Sequence, residues 1–406
     1  MPHSNNKVTD HAAYFALMTV FLDAVGIGII SPIIPELLQN LTHTNISEAA
    51  TYGGYLTFVY AAMQFIFAPI LGNLSDSIGR RPVLLISLAA LAIDYLILGF
   101  AGSLSILFAG RLIAGIFGAT PATVSAFMTD ISTGKQRTKN FGLLGASFGA
   151  GFVAGPLIGG LLAEYGVRVP FFAAFALVLL NFFYGLFILP ESLAAGRRRS
   201  FTLRGLHPFD AILTSMKAPA VGLLLLAFFL FNMADHSYVS VWPFYTREAF
   251  QWGSRQVGFT LAIFGFFHAL TQIFVIGFLL RRMSETAIAV FGILSTALIM
   301  ITFLFISEGW IVYLFLPFSA LGGLTMPAIQ ALLTQRTADT HQGQLQGAIS
   351  SVMSLTTIFS PLIMTQVFYL FTKDHHRYYH PAGVFGFAAL ICFLALIPLI
   401  RANKGA

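Results

Sequence analysis

Twelve long apolar stretches follow one another along this 406-residue chain, each long enough to cross a lipid bilayer as a helix. They fall at 12–38, 52–74, 83–102, 104–127, 141–163, 169–189, 219–246, 256–280, 286–306, 309–334, 344–371 and 382–401. In hydrocarbon every backbone N–H and C=O must be paired within the structure that spans, which for stretches of this length means helices. The alternation of apolar and polar residues that marks barrel strands is absent. Composition agrees: 9% of residues are charged, against about 25% in soluble domains, so most of the outer surface cannot face water. The expected fold is an all-α membrane protein with twelve transmembrane helices.

Six stretches precede a longer polar segment that carries Arg197, Arg198 and Arg199, and six follow it. This predicts two six-helix pseudo-symmetric bundles, 1–189 and 219–406, joined by a cytoplasmic linker at 190–218. Such repeats place a substrate site near the midplane and permit rocking between two access states. Lys and Arg set the orientation. With the N-terminus inside, only Arg168, Arg247, Arg255, Lys373 and Arg377 fall on the outer side. Arg111 is left within the membrane, and the remaining cations, Arg204 and Lys217 among them, fall inside. Both termini are therefore expected in the cytoplasm. The net charge of +6 reflects this topology and attraction to anionic lipid, so no nucleic-acid partner is expected. The lone cysteine, Cys392, excludes an internal disulfide. No cleavable signal peptide is expected, because the polar start leads into a spanning helix.

Charges inside the membrane are costly and mark pathways for ions and protons. Asp23, Asp94 and Asp235 lie deep in spans, and Arg111 opens the segment Arg111-Leu112-Ile113-Ala114-Gly115. A carboxyl group is costly to hold ionised in hydrocarbon without a partner, and acids so placed are natural proton carriers. Glycines and prolines after Asp23 (Gly26, Gly28, Pro32, Pro35) make the first helix bendable around it. On the fifth helix Ser147, Gly151, Gly155 and Gly159 recur every four residues, giving one face of small residues that admits a close neighbour; Pro156 bends its axis.

The loop after the second helix reads Gly72-Asn73-Leu74-Ser75-Asp76-Ser77-Ile78-Gly79-Arg80-Arg81-Pro82-Val83. Its glycines suit a tight turn, and Asp76 and the arginines suit charge-assisted bonds between helix ends. Gly72, Asp76, Gly79, Arg80 and Arg81 are expected to form a gating latch. The loop resembles the signature of the major facilitator superfamily. The Arg111–Gly115 segment is similar to a motif associated there with proton coupling in exporters. Gly151-Phe152-Val153-Ala154-Gly155-Pro156 resembles the antiporter motif of the drug:proton antiporter family. Leu189-Pro190-Glu191-Ser192, Phe267-His268-Ala269-Leu270, Ile306-Ser307-Glu308-Gly309-Trp310 and Gln342-Gly343-Gln344-Leu345-Gln346-Gly347 extend the resemblance to the bacterial tetracycline efflux pumps.

That resemblance implies a proton-coupled antiporter exporting a small amphipathic molecule across a bacterial inner membrane, with Asp23, Asp76, Arg80, Asp94 and His268 on positions that matter for exchange. One departure stands out. The pumps carry an essential aspartate in the ninth helix, at the position of Thr296 here, and no acid lies between Thr286 and Ile306. Asp235, tuned by His236 on the seventh helix, is expected to provide a second-half proton site instead. Gln64, Asn232, Gln272, Gln330 and Gln335 are candidate hydrogen-bonders to substrate, and Phe231, Tyr238, Trp242, Phe244 and Tyr245 candidate stacking surface for a planar ligand. No nucleotide-binding loop, metal cluster or hydrolytic triad appears in the sequence. Neither enzymatic activity, cofactor nor metal is expected, and the chain is expected to work as a monomer. Export of an endogenous metabolite such as a siderophore, or proton symport of an organic solute, are the competing readings.

Overall fold

The computed structural model describes residues 3–118, 120–201, 210–216, 218–373 and 379–404. Arg204, Lys217 and Arg377, used above for orientation, lie outside them. Among the described residues twelve helices are long and apolar enough to cross a membrane. They are α1 (Ala12–Ile30), α2 (Ile46–Ile78), α3 (Arg80–Phe100), α4 (Leu104–Ile131), α5 (Gln136–Tyr165), α6 (Val169–Ile188), α7 (Pro219–Phe250), α8 (Ser254–Leu279), α9 (Glu285–Phe303), α10 (Gly309–Gln335), α11 (Gln342–Thr372) and α12 (Gly383–Asn403).

The first span is shorter than the sequence suggests. Its helix stops at Ile30, and a separate helix, Ile34–Thr42, follows a turn. Pro32 sits in that turn, where its ring and missing N–H break the ladder. In contrast, α2 runs well beyond its apolar stretch at both ends. Among the described residues, the spans that depart from regular α geometry within their length include α4, made of two helices, Leu104–Ile116 and Thr120–Ile131, α8, with a π turn at Thr271–Val275, and α10, with a 3-10 segment at Ala320–Leu324.

Packing divides the chain into two units. The first comprises Met1–Leu37 and Val59–Leu206, the second Leu38–Phe58 and His207–Ala406. In the first unit, α1 lies along α5. A Cβ built at Gly155 would stand 2.5 Å from the Val25 carbonyl oxygen, and one at Gly159 2.5 Å from that of Ile29. Gly151 meets Phe21 in the same way, and Gly28 answers from α1 with a clearance of 2.6 Å to Pro156 Cδ. The four-residue glycine repeat thus matches residues 21, 25 and 29 of α1 turn for turn, which is how small residues let helix backbones touch. Asn181 on α6 adds a buried bond, donating to Thr19 Oγ1 at 3.0 Å.

In the second unit α7 packs on α11 and α12, and α9 on α10 and α12. Gly292 faces Thr325 and Gly322 faces Thr296, locking α9 to the 3-10 segment of α10. Ser360 on α11 donates to the Met233 carbonyl at 2.8 Å. The start of α2 belongs to this unit, with Gly53 against the Phe244 ring and Gly54 against Thr365 and the Pro361 carbonyl.

Candidate membrane-embedded proton site

Asp94 on α3 is fully buried, and its partner is Arg111 on α4. One guanidinium edge engages both carboxylate oxygens: Nη2 pairs with Oδ2, and Nε donates to Oδ1 at 3.2 Å. A buried charge of either sign is tolerable only when paired this way. Glycine again sets the distance, since a Cβ at Gly110 would lie 3.1 Å from Asp94 Oδ1. The Arg111 guanidinium also lies over the Tyr60 ring of α2, 5.4 Å from its centroid. Asp23 on α1 is half-buried and within electrostatic reach of Tyr60 and Tyr95. Gly26, one turn further along α1, is where the Tyr95 hydroxyl fits. Asp23, Asp94 and Arg111 are therefore gathered in one region of the first unit, with two tyrosines that the sequence motifs did not single out. Gln64 belongs to the same region and donates to the Gly118 carbonyl at 2.8 Å.

The loop between α2 and α3 forms a dense network. Arg80 Nη1 lies 2.5 Å from Asp76 Oδ1 and donates to Ser75 Oγ at 2.6 Å, while its Nε donates to Asp130 Oδ2 at 3.2 Å. Ser192 donates to the same Asp130 oxygen at 3.2 Å. Glu191 accepts from the backbone N–H groups of Arg80 at 2.8 Å, Arg81 at 3.2 Å and Leu193 at 3.0 Å, capping the start of α3. Arg81 donates to the Leu186 carbonyl at 2.7 Å. Gly79 is the turn residue, at φ 115, and Glu191 occupies the place where its Cβ would be. Gly72 makes no turn, contrary to expectation. α2 continues to Ile78, so Gly72 is an ordinary helical residue with open space around it. Asp130 and Glu191 were not assigned roles from sequence. The signal was there, as two acids in an otherwise basic zone.

In the second unit Asp235 and His236 are half-buried on α7. Asp235 is within electrostatic reach of the Tyr238 hydroxyl and the Cys392 thiol. Among the described residues it makes no hydrogen bond or ion pair. His268 lies beside Gly323, whose Cβ would fall 2.5 Å from Nε2, and Gln272 donates to the Gly323 carbonyl at 2.8 Å. His268 precedes the π turn of α8 and Gln272 lies within it, a distortion frequent at functional sites. Gln330 is half-buried on α10, and Gln335 donates to Glu285 at 3.0 Å.

The candidate substrate contacts on α7 are differently placed. Asn232 is buried and donates to its own helix at Phe228 O, 2.7 Å. Trp242 is buried, donates to Thr260 Oγ1 at 3.1 Å and packs among Tyr238, Tyr245, Phe303 and Phe385. Phe231, Phe244 and Tyr245 are equally buried. These rings fill the core of the second unit and present no open face to a planar ligand in this arrangement. Thr296 is buried too, donating to the Gly292 carbonyl at 3.0 Å and packed on Gly322.

Twelve helices able to cross a membrane, with an ion pair buried among those of the first unit, are what a secondary transporter needs. The chain matches the Major Facilitator Superfamily model over residues 16–361 and 224–405, and it belongs to that superfamily. Its relatives include tetracycline resistance protein class C of Escherichia coli, 41% identical over 89% of this chain and 90% of that one. The class B protein of Escherichia coli is 37% identical over 87% of each chain. Multidrug resistance protein 2 of Bacillus subtilis is 28% identical over 86% of each. Among solved structures the nucleoside transporter NupG superposes with a TM-score of 0.78 at 12% identity, covering 98% of this chain and 99% of that one. The human organic anion transporter MFSD10 superposes at 0.69 and 20% identity, covering 96% and 99%. Both structures share the fold.

Proposed function

We propose that this protein is a proton-driven antiporter that exports tetracycline, or a closely similar amphipathic compound, across a bacterial inner membrane. The observation that carries the reading is the buried Asp94–Arg111 pair, in a chain 41% identical to a tetracycline resistance protein. An acid whose neutralising partner sits on another helix couples charge to helix position, so gaining a proton and binding drug each favour a different access state. The similarity to named resistance proteins favours drug efflux over siderophore export or solute symport.

Within this reading the bundles 1–189 and 219–406 rock about the linker as a monomer with both termini cytoplasmic. The Asp76–Arg80 network latches one access state. Asp23 and Asp94 carry the coupling proton in the first half, and Asp235 with His236 stands in for the acid absent at Thr296. The test is expression in a tetracycline-sensitive, efflux-deficient strain, together with tetracycline uptake into everted membrane vesicles under an imposed proton gradient. Raised resistance, and uptake abolished by an uncoupler, are expected. Uptake unaffected by the uncoupler would overturn proton coupling. Unchanged susceptibility with secretion of an endogenous compound would favour the metabolite exporter.

A further inference from the structure

The glycines of α4 seat it against α2 at a defined height. A Cβ at Gly115 would stand 2.5 Å from the Tyr60 carbonyl oxygen and 2.7 Å from Met63 Cβ. One turn on, the Gly118 carbonyl receives Gln64. The crossing is pinned on both sides of Tyr60, and it puts the ring beside Arg111, one turn before Gly115. The spacing of the arginine and the glycine in this motif is thereby explained: the glycine fixes the helix contact and the arginine stands where the contact delivers it. From the other side, the fit of Tyr95 against Gly26 brings the α1 turn that holds Asp23 up to α3.

The charged and titratable groups around Tyr60 are Asp23 from α1, Tyr95 from α3 and Arg111 from α4, with Gln64 of its own helix in hydrogen-bond reach of its phenol. Asp94 faces Arg111. Asp23 and Asp94 share no hydrogen bond or ion pair among the described residues, yet Tyr60 lies within electrostatic reach of the first acid and against the partner of the second.

We propose that Tyr60 is a positioning residue that links Asp23 to the Arg111–Asp94 pair, its ring face holding the guanidinium and its hydroxyl responding to the charge on Asp23. The Tyr60 O–H dipole lies within electrostatic reach of the Asp23 carboxyl, so its orientation follows the charge on Asp23. The ring face attracts the guanidinium, so that reorientation changes how firmly Arg111 is held against Asp94. A proton taken up at Asp23 is felt at Asp94 through one aromatic side chain. The inference rests on the proton-driven export reading above and adds the residue through which the two acids communicate.

Tetracycline uptake into everted vesicles is measured against pH for the wild type, Tyr60→Phe, Tyr60→Leu and a 3-fluorotyrosine substitution at the same position. Tyr60→Phe keeps the ring over Arg111 and removes the hydroxyl. Its maximal rate is expected to fall about tenfold, with KM within about twofold and a displaced pH profile. Fluorination alters the acidity of the phenol at nearly constant shape, so the fluorinated protein is expected to displace the profile with little loss of rate. A Tyr60→Phe protein with the rate and pH profile of the wild type overturns the link. So does a loss confined to Tyr60→Leu, which would mean packing alone. A substrate-free readout separates this inference from the transport reading. The melting temperature of the purified protein against pH is expected to show a step that Tyr60→Phe displaces. Identical steps overturn the link whether or not tetracycline is moved.

Discussion

The two units solve the problem of an acid in the membrane in opposite ways. In the first, Asp94 is fully buried and clasped by Arg111, and the helices around it are brought together by glycines at 110, 115, 151, 155 and 159. In the second, Asp235 is half-buried and makes no hydrogen bond or ion pair among the described residues, while the helices around it are packed by a nest of aromatic rings. Pairing makes a charge structural as well as titratable: removing one partner strands the other, and a proton gained by the acid releases the arginine. A lone acid strands nothing when removed and exchanges its proton without releasing a partner. Burial alone therefore does not say how a proton carrier works; the partners do.

The largest expected effect follows from breaking the pair. Arg111→Ala leaves Asp94 buried and uncompensated, which should lower stability by about 3–5 kcal/mol and abolish transport. Arg111→Leu combined with Asp94→Asn should recover most of the stability and none of the proton-driven uptake. Thermal melts of purified protein check both. A stable Arg111→Ala protein would mean that Asp94 is uncharged in this state, and the contrast between the units would collapse.

Next comes the glycine seam. Gly155→Val would push against the Val25 carbonyl, 2.5 Å from the new Cβ, with an expected loss of about 1–3 kcal/mol from overpacking. Gly149→Ala on the same helix meets nothing within 4 Å and should lie within about 0.5 kcal/mol of the wild type. Equal melting temperatures for the two would show that α1 and α5 do not need their close approach.

Asp235→Asn sharpens the other side of the contrast. It should leave stability within about 1 kcal/mol, since no partner is stranded, while lowering proton-driven uptake about tenfold. Uptake equal to the wild type across the pH range would remove the second-half proton site from the mechanism. The smallest effect is expected at Thr296→Val, which removes a hydroxyl bonded only within its own helix. Uptake should be unchanged, and stability should fall by about 1 kcal/mol or less. A large loss of uptake would make this position functional despite its lost acid.

Much of the fold was legible in the chain, because a span of helix in lipid must satisfy its own backbone and announces itself by length and hydropathy alone. The exceptions are instructive. The end of α1 was set by Pro32 inside an unbroken apolar run, and the ends of α2 by helix that continues past the apolar stretch. The candidate site was legible in part. Asp23, Asp94 and Arg111 stood out as charges where charges are costly, and the Gly151–Gly159 face stood out by its period. Tyr60 and Tyr95 did not, since a tyrosine is unremarkable until a neighbour is known, and Asp130 and Glu191 showed only as acids in a basic zone. The aromatic side chains of α7 looked like ligand-stacking surface and are core, because composition does not say which way a helix is rotated.

The sequence by itself determined that this chain crosses a membrane twelve times and carries its few deep charges on particular turns. Those facts depend only on what a segment can tolerate in hydrocarbon. Tertiary structure decided that Arg111 goes to Asp94 and lies over the Tyr60 ring, and that Asp235 has no hydrogen bond or ion pair among the described residues. Such pairings depend on helix rotation and crossing height, which are fixed where glycines meet backbone on a neighbouring helix.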